Sequence, residues 1–389
     1  MSEVYIVAAC RTAIGSFQGQ FEKHSAVELG TVAIVEAVKR ASLQPEDVDQ
    51  VIMGQVLTAG QGQNPARQAA LGAKIPPTSS AYTLNLLCGS GLKTVALGYQ
   101  GIKNGDYEVI VAGGQESMTR AEHSAYLRNA KMGNLNLSDT LLKDGLLDAV
   151  NKDTHMGHTA ENLAKIYSIS REAQDEFACK SQNKTEKAVT DGLFEKEIVG
   201  VPDKKTGNLI AKDEFPKFGT TVEKLSKFRP CFIPNNGTVT AGNASGINDG
   251  AAAVLLVSEK QLKQRQLTPL ARIVGFTEDG VDPMIMGMGP VGAVNKLLKK
   301  IGWSKEEVDL YELNEAFAVQ SIAVNKDLGI DASKINITGG AIALGHPLGC
   351  SGTRVLVTLI HNLHRLGLKK GIAALCIGGG MGIALAVEV

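Results

Sequence analysis

The sequence carries no net charge, because 40 lysines and arginines balance 40 aspartates and glutamates. No global field therefore draws the chain to nucleic acid or to an anionic membrane, and a small-molecule partner is expected. Its six cysteines (Cys10, Cys88, Cys179, Cys231, Cys350, Cys376) include no Cys-x-x-Cys pair. That excludes the usual zinc and redox-dithiol spacings, so neither a metal nor a disulfide is expected. No apolar run reaches the ~20 residues of a membrane span. Nothing resembling an Arg-rich leader or signal peptide precedes the strand-like run at Val4–Ala9, and Val387-Glu388-Val389 is not a peroxisomal tripeptide. Together these absences predict a soluble cytoplasmic protein.

What the sequence has in abundance is glycine, 43 residues clustered near Cys88, Gly113, Gly242 and the C-terminus rather than spread as low complexity. With 389 residues, 44% of them hydrophobic, the chain can fill the cores of two or three domains. Tyr5–Ala8 reads as a buried strand, and Ala26–Ala41 has helical periodicity carried by Leu29, Val32, Ile34, Val35 and Val38. Pro45–Gly54 is echoed 260 residues later in Ser304–Asn314, and Ala33–Ala41 by Ala293–Ile301. Ser90-Gly91, a helix and the strand Glu108–Gly114 likewise match Ser351-Gly352, a helix and Ala373–Gly379, and Gly250–Val257 matches Gly382–Val387. The repeat predicts an α/β fold of two duplicated layered halves, residues 1–118 plus 249–268 and residues 269–389, with a loop-rich domain inserted at 119–248. Inside the insertion, 159–167 and 171–190 are predicted helices. Tyr126–Thr140 is polar and weakly periodic, a surface loop or an oligomer contact.

Four turns carry candidate chemistry. In Leu86-Leu87-Cys88-Gly89-Ser90-Gly91 an apolar run meets a Gly-Ser-Gly turn and then a helix, which should place the thiol at a helix N-terminus where thiolate is favoured. The other reading is a small buried hydrophobe, the commoner fate of a lone cysteine. Asn314, in Glu312-Leu313-Asn314-Glu315-Ala316-Phe317, follows an apolar strand and is predicted to begin a helix, either as its N-cap or as the holder of a water or substrate oxygen. His346 and Cys376 lie on separate glycine-rich turns, Gly339–Gly349 and Ala374–Gly382, where ligands can approach the main chain closely.

In this order the motifs Cys-Gly-Ser-Gly, Asn-Glu-Ala-Phe, Gly-His-Pro and Cys-Ile-Gly-Gly-Gly resemble the four signature loops of the thiolase family, over essentially the whole chain, and within it the acetoacetyl-CoA thiolases. The resemblance implies a thiolase fold and the reversible condensation of two acetyl-CoA to acetoacetyl-CoA plus CoA. It makes Cys88 the acetyl-carrying nucleophile and His346 the base that activates it. Cys376 becomes the group that takes the α-proton, Asn314 the holder of the enolate-side water, and the backbone N–H groups of Cys88 and Gly378 the oxyanion donors. It places Lys217 near the nucleotide, where the family commonly has arginine, and Ala241 and Ser245 along the pantetheine. His155, Met156, Met286, Ala316 and Phe317 would line a short acyl pocket. Lys224, Lys227 and Arg229 complete the most basic stretch of the insertion. It further implies a homotetramer and no cofactor beyond coenzyme A as part of substrate and product. A broad-range 3-ketoacyl-CoA thiolase of fatty-acid breakdown shares these residues, and a non-catalytic acyl-CoA or lipid carrier shares the fold. A ketoacyl synthase suits Asn314 and Cys376 less well.

Overall fold

A computed structural model describes residues 3–389. Along the chain come β1 (Val4–Thr12), α1 (Ala26–Arg40), β2 (Gln50–Gly54), β3 (Ser80–Leu84), α2 (Ser90–Asn104) and β4 (Val109–Ser117). Then follow α3 (Met156–Ile166), α4 (Arg171–Thr190) and β5 (Asn248–Ser258). The remainder holds β6 (Ala271–Gly280), α5 (Gly289–Ile301), β7 (Leu310–Leu313), α6 (Ala318–Leu328), α7 (Leu348–Leu366), β8 (Lys370–Ile377) and β9 (Met381–Glu388).

These nine strands form one mixed sheet in the order β7-β8-β9-β6-β1-β5-β4-β2-β3. For four strands the order reads the same outward from the central β6/β1 contact, where Tyr5 pairs with Arg272 and Ile6 with Ala271, and β3 adds a fifth on one side. On each side two antiparallel pairings are followed by a parallel one. Strands this apolar are buried on both faces, and their alternation sorts them between cores. In β5, Ala252, Val254 and Leu256 join one core, while Ala251, Ala253, Leu255 and Val257 join another that includes α1. In β9, Ile383, Leu385 and Val387 enter the first core, and Ala384 and Ala386 a third beneath α5 and α6. The shared core contains α2 and α7, so those two helices lie between the halves. They cross where no side chain fits: a Cβ on Gly352 would stand 2.2 Å from the Leu92 amide nitrogen, and one on Gly91 2.8 Å from the Gly349 carbonyl.

A duplicated clamp fixes the register between the halves. Asp49 Oδ2 accepts the amides of Glu108 and Val109, and Asp309 Oδ2 those of Lys369 and Lys370. Val109 is therefore equivalent to Lys370, four residues from the match that the glycines suggested. The glycine alignment slipped because those glycines have different causes. A Cβ on Gly114 would lie 1.9 Å from the Gly349 carbonyl, whereas Gly379 and Gly380 have φ of 80° and 86° and turn the chain from β8 into β9.

The segment between β4 and β5 returns to the main sheet. Its short strand Ile198–Val199 pairs in parallel with β1 at Arg11 and Thr12. This explains why the first strand runs four residues past the predicted Ala8. Arg11 is fully buried there because Glu197, 2.5 Å away, and Asp213, 2.7 Å away, neutralise it from the insertion. The helix predicted at 159–167 begins at Met156, capped by His155 Nδ1 accepting the Gly157 amide at 3.0 Å. The helix predicted at 171–190 is α4. No helix among the described residues is long and apolar enough to cross a membrane.

Candidate active site

Between β3 and α2 the chain makes a tight elbow at Leu87, whose φ of 47° is unusual for a leucine. Packing of the half-buried Leu87 against two hydrophobic clusters offsets that strain, and Ser90 Oγ secures the turn by donating to Leu87 O (2.6 Å) and accepting from Leu86 N (2.8 Å). Cys88 stands at the apex, just before the first turn of α2. The amides of Gly378 and of Cys88 itself point at its sulfur. Burial nevertheless dominates, pushing the thiol up to about 11, and the nearby Glu116 carboxylate adds to that. Desolvation thus outweighs the two amides and favours the thiol, against the thiolate that a helix N-terminus promotes.

His346 follows Gly345, whose φ is 104°, and its amide donates to Asn248 Oδ1 at 2.9 Å. Its Nδ1 lies 2.6 Å from Ser351 Oγ, which also donates to Pro347 O at 2.8 Å. A hydroxyl has one proton to give. Ser351 therefore accepts from Nδ1–H, and Nε2 keeps its lone pair. Burial, reinforced by the Arg354 guanidinium, lowers the ring to about 3, so the imidazole is neutral near pH 7.

Asn314 does not cap a helix. Strand β7 ends at Leu313, and α6 begins four residues beyond Asn314, with Phe317 at its N-cap position. The chain first has to pass Ala316 and Phe317 along the Ala244–Ser245 backbone, where Ser245 N donates to Ala316 O at 2.9 Å. That leaves the Asn314 side chain for the site: Nδ2 lies 3.4 Å from His346 Nε2, and the buried Oδ1 has no hydrogen-bond partner. Cys376, in β8 opposite Gly382, is fully buried. Burial and then the neighbouring Cys88 raise its thiol far above the ordinary range.

A cavity of about 540 Å³ is lined by Cys88, His346 and Gly378, a volume suited to a small-molecule ligand. His155, Met156, Lys217, Ala241, Ser245, Met286, Ala316 and Phe317 also line it, so sequence reasoning brought all of these to one place. Asn314 and Cys376 lie behind that lining. Met156 and Met286 serve two purposes, since both also belong to the core beneath α5 and α6. Of the basic stretch only Lys217 reaches the cavity, its ammonium 5.5 Å from the centre of the Phe215 ring, while the Lys224 ammonium donates to Gly219 O. Sequence reasoning missed Phe17, Phe215 and Phe232. The Phe232 ring stacks on His155 at 4.7 Å and occupies the place where a Cβ on Gly157 would fall, 2.1 Å away. No periodic signal marks it, because it sits in an irregular loop.

A thiol met by two amides, in one cavity with a neutral imidazole and with a second thiol behind, is equipped for acyl transfer to sulfur followed by a further proton transfer. Residues 4–260 match the thiolase N-terminal domain family and residues 267–389 the thiolase C-terminal domain family, and the chain belongs to the thiolases. It is 53% identical to an acetyl-CoA acetyltransferase of Paracoccus denitrificans over 100% of both chains. It is 52% identical to the cytosolic acetyl-CoA acetyltransferase of Mus musculus, covering 99% of this chain and 98% of that one. Among solved structures it superposes on the Bacillus anthracis acetyl-CoA acetyltransferase with a TM-score of 0.95 at 44% identity, covering 100% of this chain and 99% of that one. With human mitochondrial 3-ketoacyl-CoA thiolase, crystallised in complex with CoA, the TM-score is 0.95 at 42% identity, covering 100% of this chain and 98% of that one.

Proposed function

We propose that the protein is an acetyl-CoA C-acetyltransferase that joins two acetyl-CoA into acetoacetyl-CoA and CoA, and runs the reverse thiolysis. The observation that carries this reading is the Cys88 sulfur under the Gly378 and Cys88 amides in a cavity shared with a neutral His346. Nε2 of His346 takes the Cys88 proton as sulfur attacks the thioester carbonyl, and the two amides hold the tetrahedral oxyanion. As the C–S bond to CoA breaks, Cys376 protonates the departing thiolate. His346 stays protonated, donating from Nδ1 to Ser351 and from Nε2 toward the second substrate. The Cys376 thiolate then removes an α-proton from that acetyl-CoA, and the enolate oxygen is met by His346 Nε2–H and the Asn314 side. The enolate carbon attacks the acetyl group on Cys88, the Cys88–acyl bond breaks, and the sulfur recovers its proton from His346.

No cofactor enters this cycle. The cytosolic relative supports a cytoplasmic setting. A homotetramer accords with the apolar side chains exposed along 126–150, where Tyr126 is 80% exposed, Met132 fully and Val150 88%; sedimentation would measure it.

Met156, Met286, Phe317 and Phe232 line the cavity, and in this reading they limit the length of the acyl tail it accepts. Each excluded methylene is worth only about 1–3 kcal/mol, so a C6 substrate should be modestly disfavoured and a C10 substrate nearly excluded. Thiolysis rates for 3-ketoacyl-CoA from C4 to C10 test this. Equal kcat/KM for acetoacetyl-CoA and 3-ketodecanoyl-CoA would replace it with the broad-chain degradative thiolase.

A further inference from the structure

The irregular stretch that carries His346 is held by buried polar side chains from four separate parts of the chain. Upstream, Glu315 Oε2 accepts from Ser181 Oγ (2.6 Å) and Ile342 N (3.3 Å), and Ser181 Oγ accepts from Gly340 N (3.1 Å). At its centre Asn248 accepts from the His346 amide. Downstream, Glu116 at the end of β4 has Oε2 2.8 Å from Gly349 N and 3.0 Å from Val56 N, and Oε1 3.2 Å from Leu57 N.

Glu116 is fully buried, and no cation lies within salt-bridge distance of it among the described residues. Burying a carboxylate with no cation beside it is costly. The architecture itself does not require one. By the register of the two aspartate clamps, the equivalent position in the other half is Ile377, an apolar residue. Backbone packing at this point is already close, since a Cβ on Gly349 would stand 2.7 Å from Gln55 Cα.

We infer that Glu116 is a positioning residue for His346: its carboxylate ties the first turn of α7 to the chain leaving β2 and to the end of β4, and so sets the imidazole relative to the Cys88 turn. Three groups face the carboxylate electrostatically, Asp249 from β5, Cys88 from its turn and Cys350 from α7. Burial, opposed by the three amides and aided by Asp249, raises Glu116 to about 7. Its charge in turn opposes thiolate at Cys88.

The inference rests on His346 acting as the base, and two variants of the full chain separate reach from charge. Glu116→Asp keeps the charge but withdraws it by one methylene. Its kcat for acetoacetyl-CoA thiolysis should fall on the order of 10²-fold, the scale of a misplaced catalytic group, with KM little changed. The pH profile of Cys88 alkylation by iodoacetamide should stay that of the parent. Glu116→Gln should lower kcat similarly and, by removing the charge that opposes thiolate, also move the alkylation profile to lower pH, whereas the Asp variant's loss of kcat at unchanged KM and unchanged profile is what a merely structural role would not produce. A folded Glu116→Asp with parental kcat overturns the inference, whether or not the Gln variant folds, as does a Gln variant with an unshifted profile. If the parent itself fails to turn over acetoacetyl-CoA, the acyl-transfer reading has failed instead.

Discussion

The Cys88 turn and the His346 turn are the same local device put to different use. Each leads into a helix through a Ser-Gly pair, and the two helices cross at those glycines. In the first turn Ser90 Oγ spends both hydrogen bonds on the backbone of Leu86 and Leu87, fixing an elbow that a leucine at φ 47° would not choose. In the second, Ser351 Oγ gives one bond to the Pro347 carbonyl and keeps the other for His346 Nδ1. One serine shapes backbone; the other sets which imidazole nitrogen carries the proton. The strand ends diverge too: Gln115 and Glu116 occupy the positions equivalent to Cys376 and Ile377, so one copy contributes a buried thiol where the other contributes buried polar anchors. Duplication supplied two sets of strand-end turns, and only their complementary halves needed to become reactive.

The sharpest break in this comparison removes the sulfur from each side. Cys88→Ala should form no acetyl-enzyme and lose activity by roughly 10⁴-fold or more, the scale for deleting a nucleophile. Cys376→Ala should still accept an acetyl group from acetyl-CoA, more slowly because solvent must protonate the departing thiolate, yet fail to condense. Mass spectrometry after incubation with acetyl-CoA reads both outcomes, and an adduct on the Cys88→Ala protein would reassign the nucleophile.

Asn314→Asp comes next. Because Asn314 caps no helix, the substitution buries an unpaired carboxylate beside the neutral imidazole. Turnover should drop about 10²- to 10³-fold, as for a lost oxyanion donor, and the melting temperature should fall as well. A variant with full activity and unchanged Tm would return Asn314 to a purely local role.

The two serines give a finer test. Ser351→Ala removes the acceptor of Nδ1–H, worth about 1–1.5 kcal/mol net, so kcat should fall roughly tenfold. Ser90→Ala should lower thermal stability with a smaller effect on kcat, since it loosens the elbow without touching the imidazole. Similar kcat losses in both would erase the distinction between the turns.

Alkylation of the resting protein isolates the smallest effect. With the Cys88 thiol raised to about 11, thiolate becomes more abundant as pH rises, and the iodoacetamide rate should climb roughly tenfold per pH unit through pH 7–10. With His346 lowered to about 3, the imidazole should add no inflection of its own near pH 6.5, and any bend near pH 7 should come from Glu116 and vanish in Glu116→Gln. A plateau above pH 7 would mean a resting thiolate–imidazolium pair.

The sequence alone determined what depends on neighbours along the chain. Doubly buried strands appear as unbroken apolar runs, α1 and α4 as periodic segments, and the reactive turns as glycines around an isolated cysteine or histidine. The cavity residues followed from motif resemblance rather than from pattern. Tertiary structure decided whatever depends on approach between distant segments. Arg11 extends a strand because Glu197 and Asp213 reach it from nearly 200 residues away; Asn248 and Glu116 hold the His346 segment from strands of the other half; and Phe232 fills the space above Gly157. The same holds for acidity. A helix N-terminus is visible in a sequence, but the low-dielectric surroundings that keep Cys88 protonated and His346 neutral exist only once both halves have closed around them.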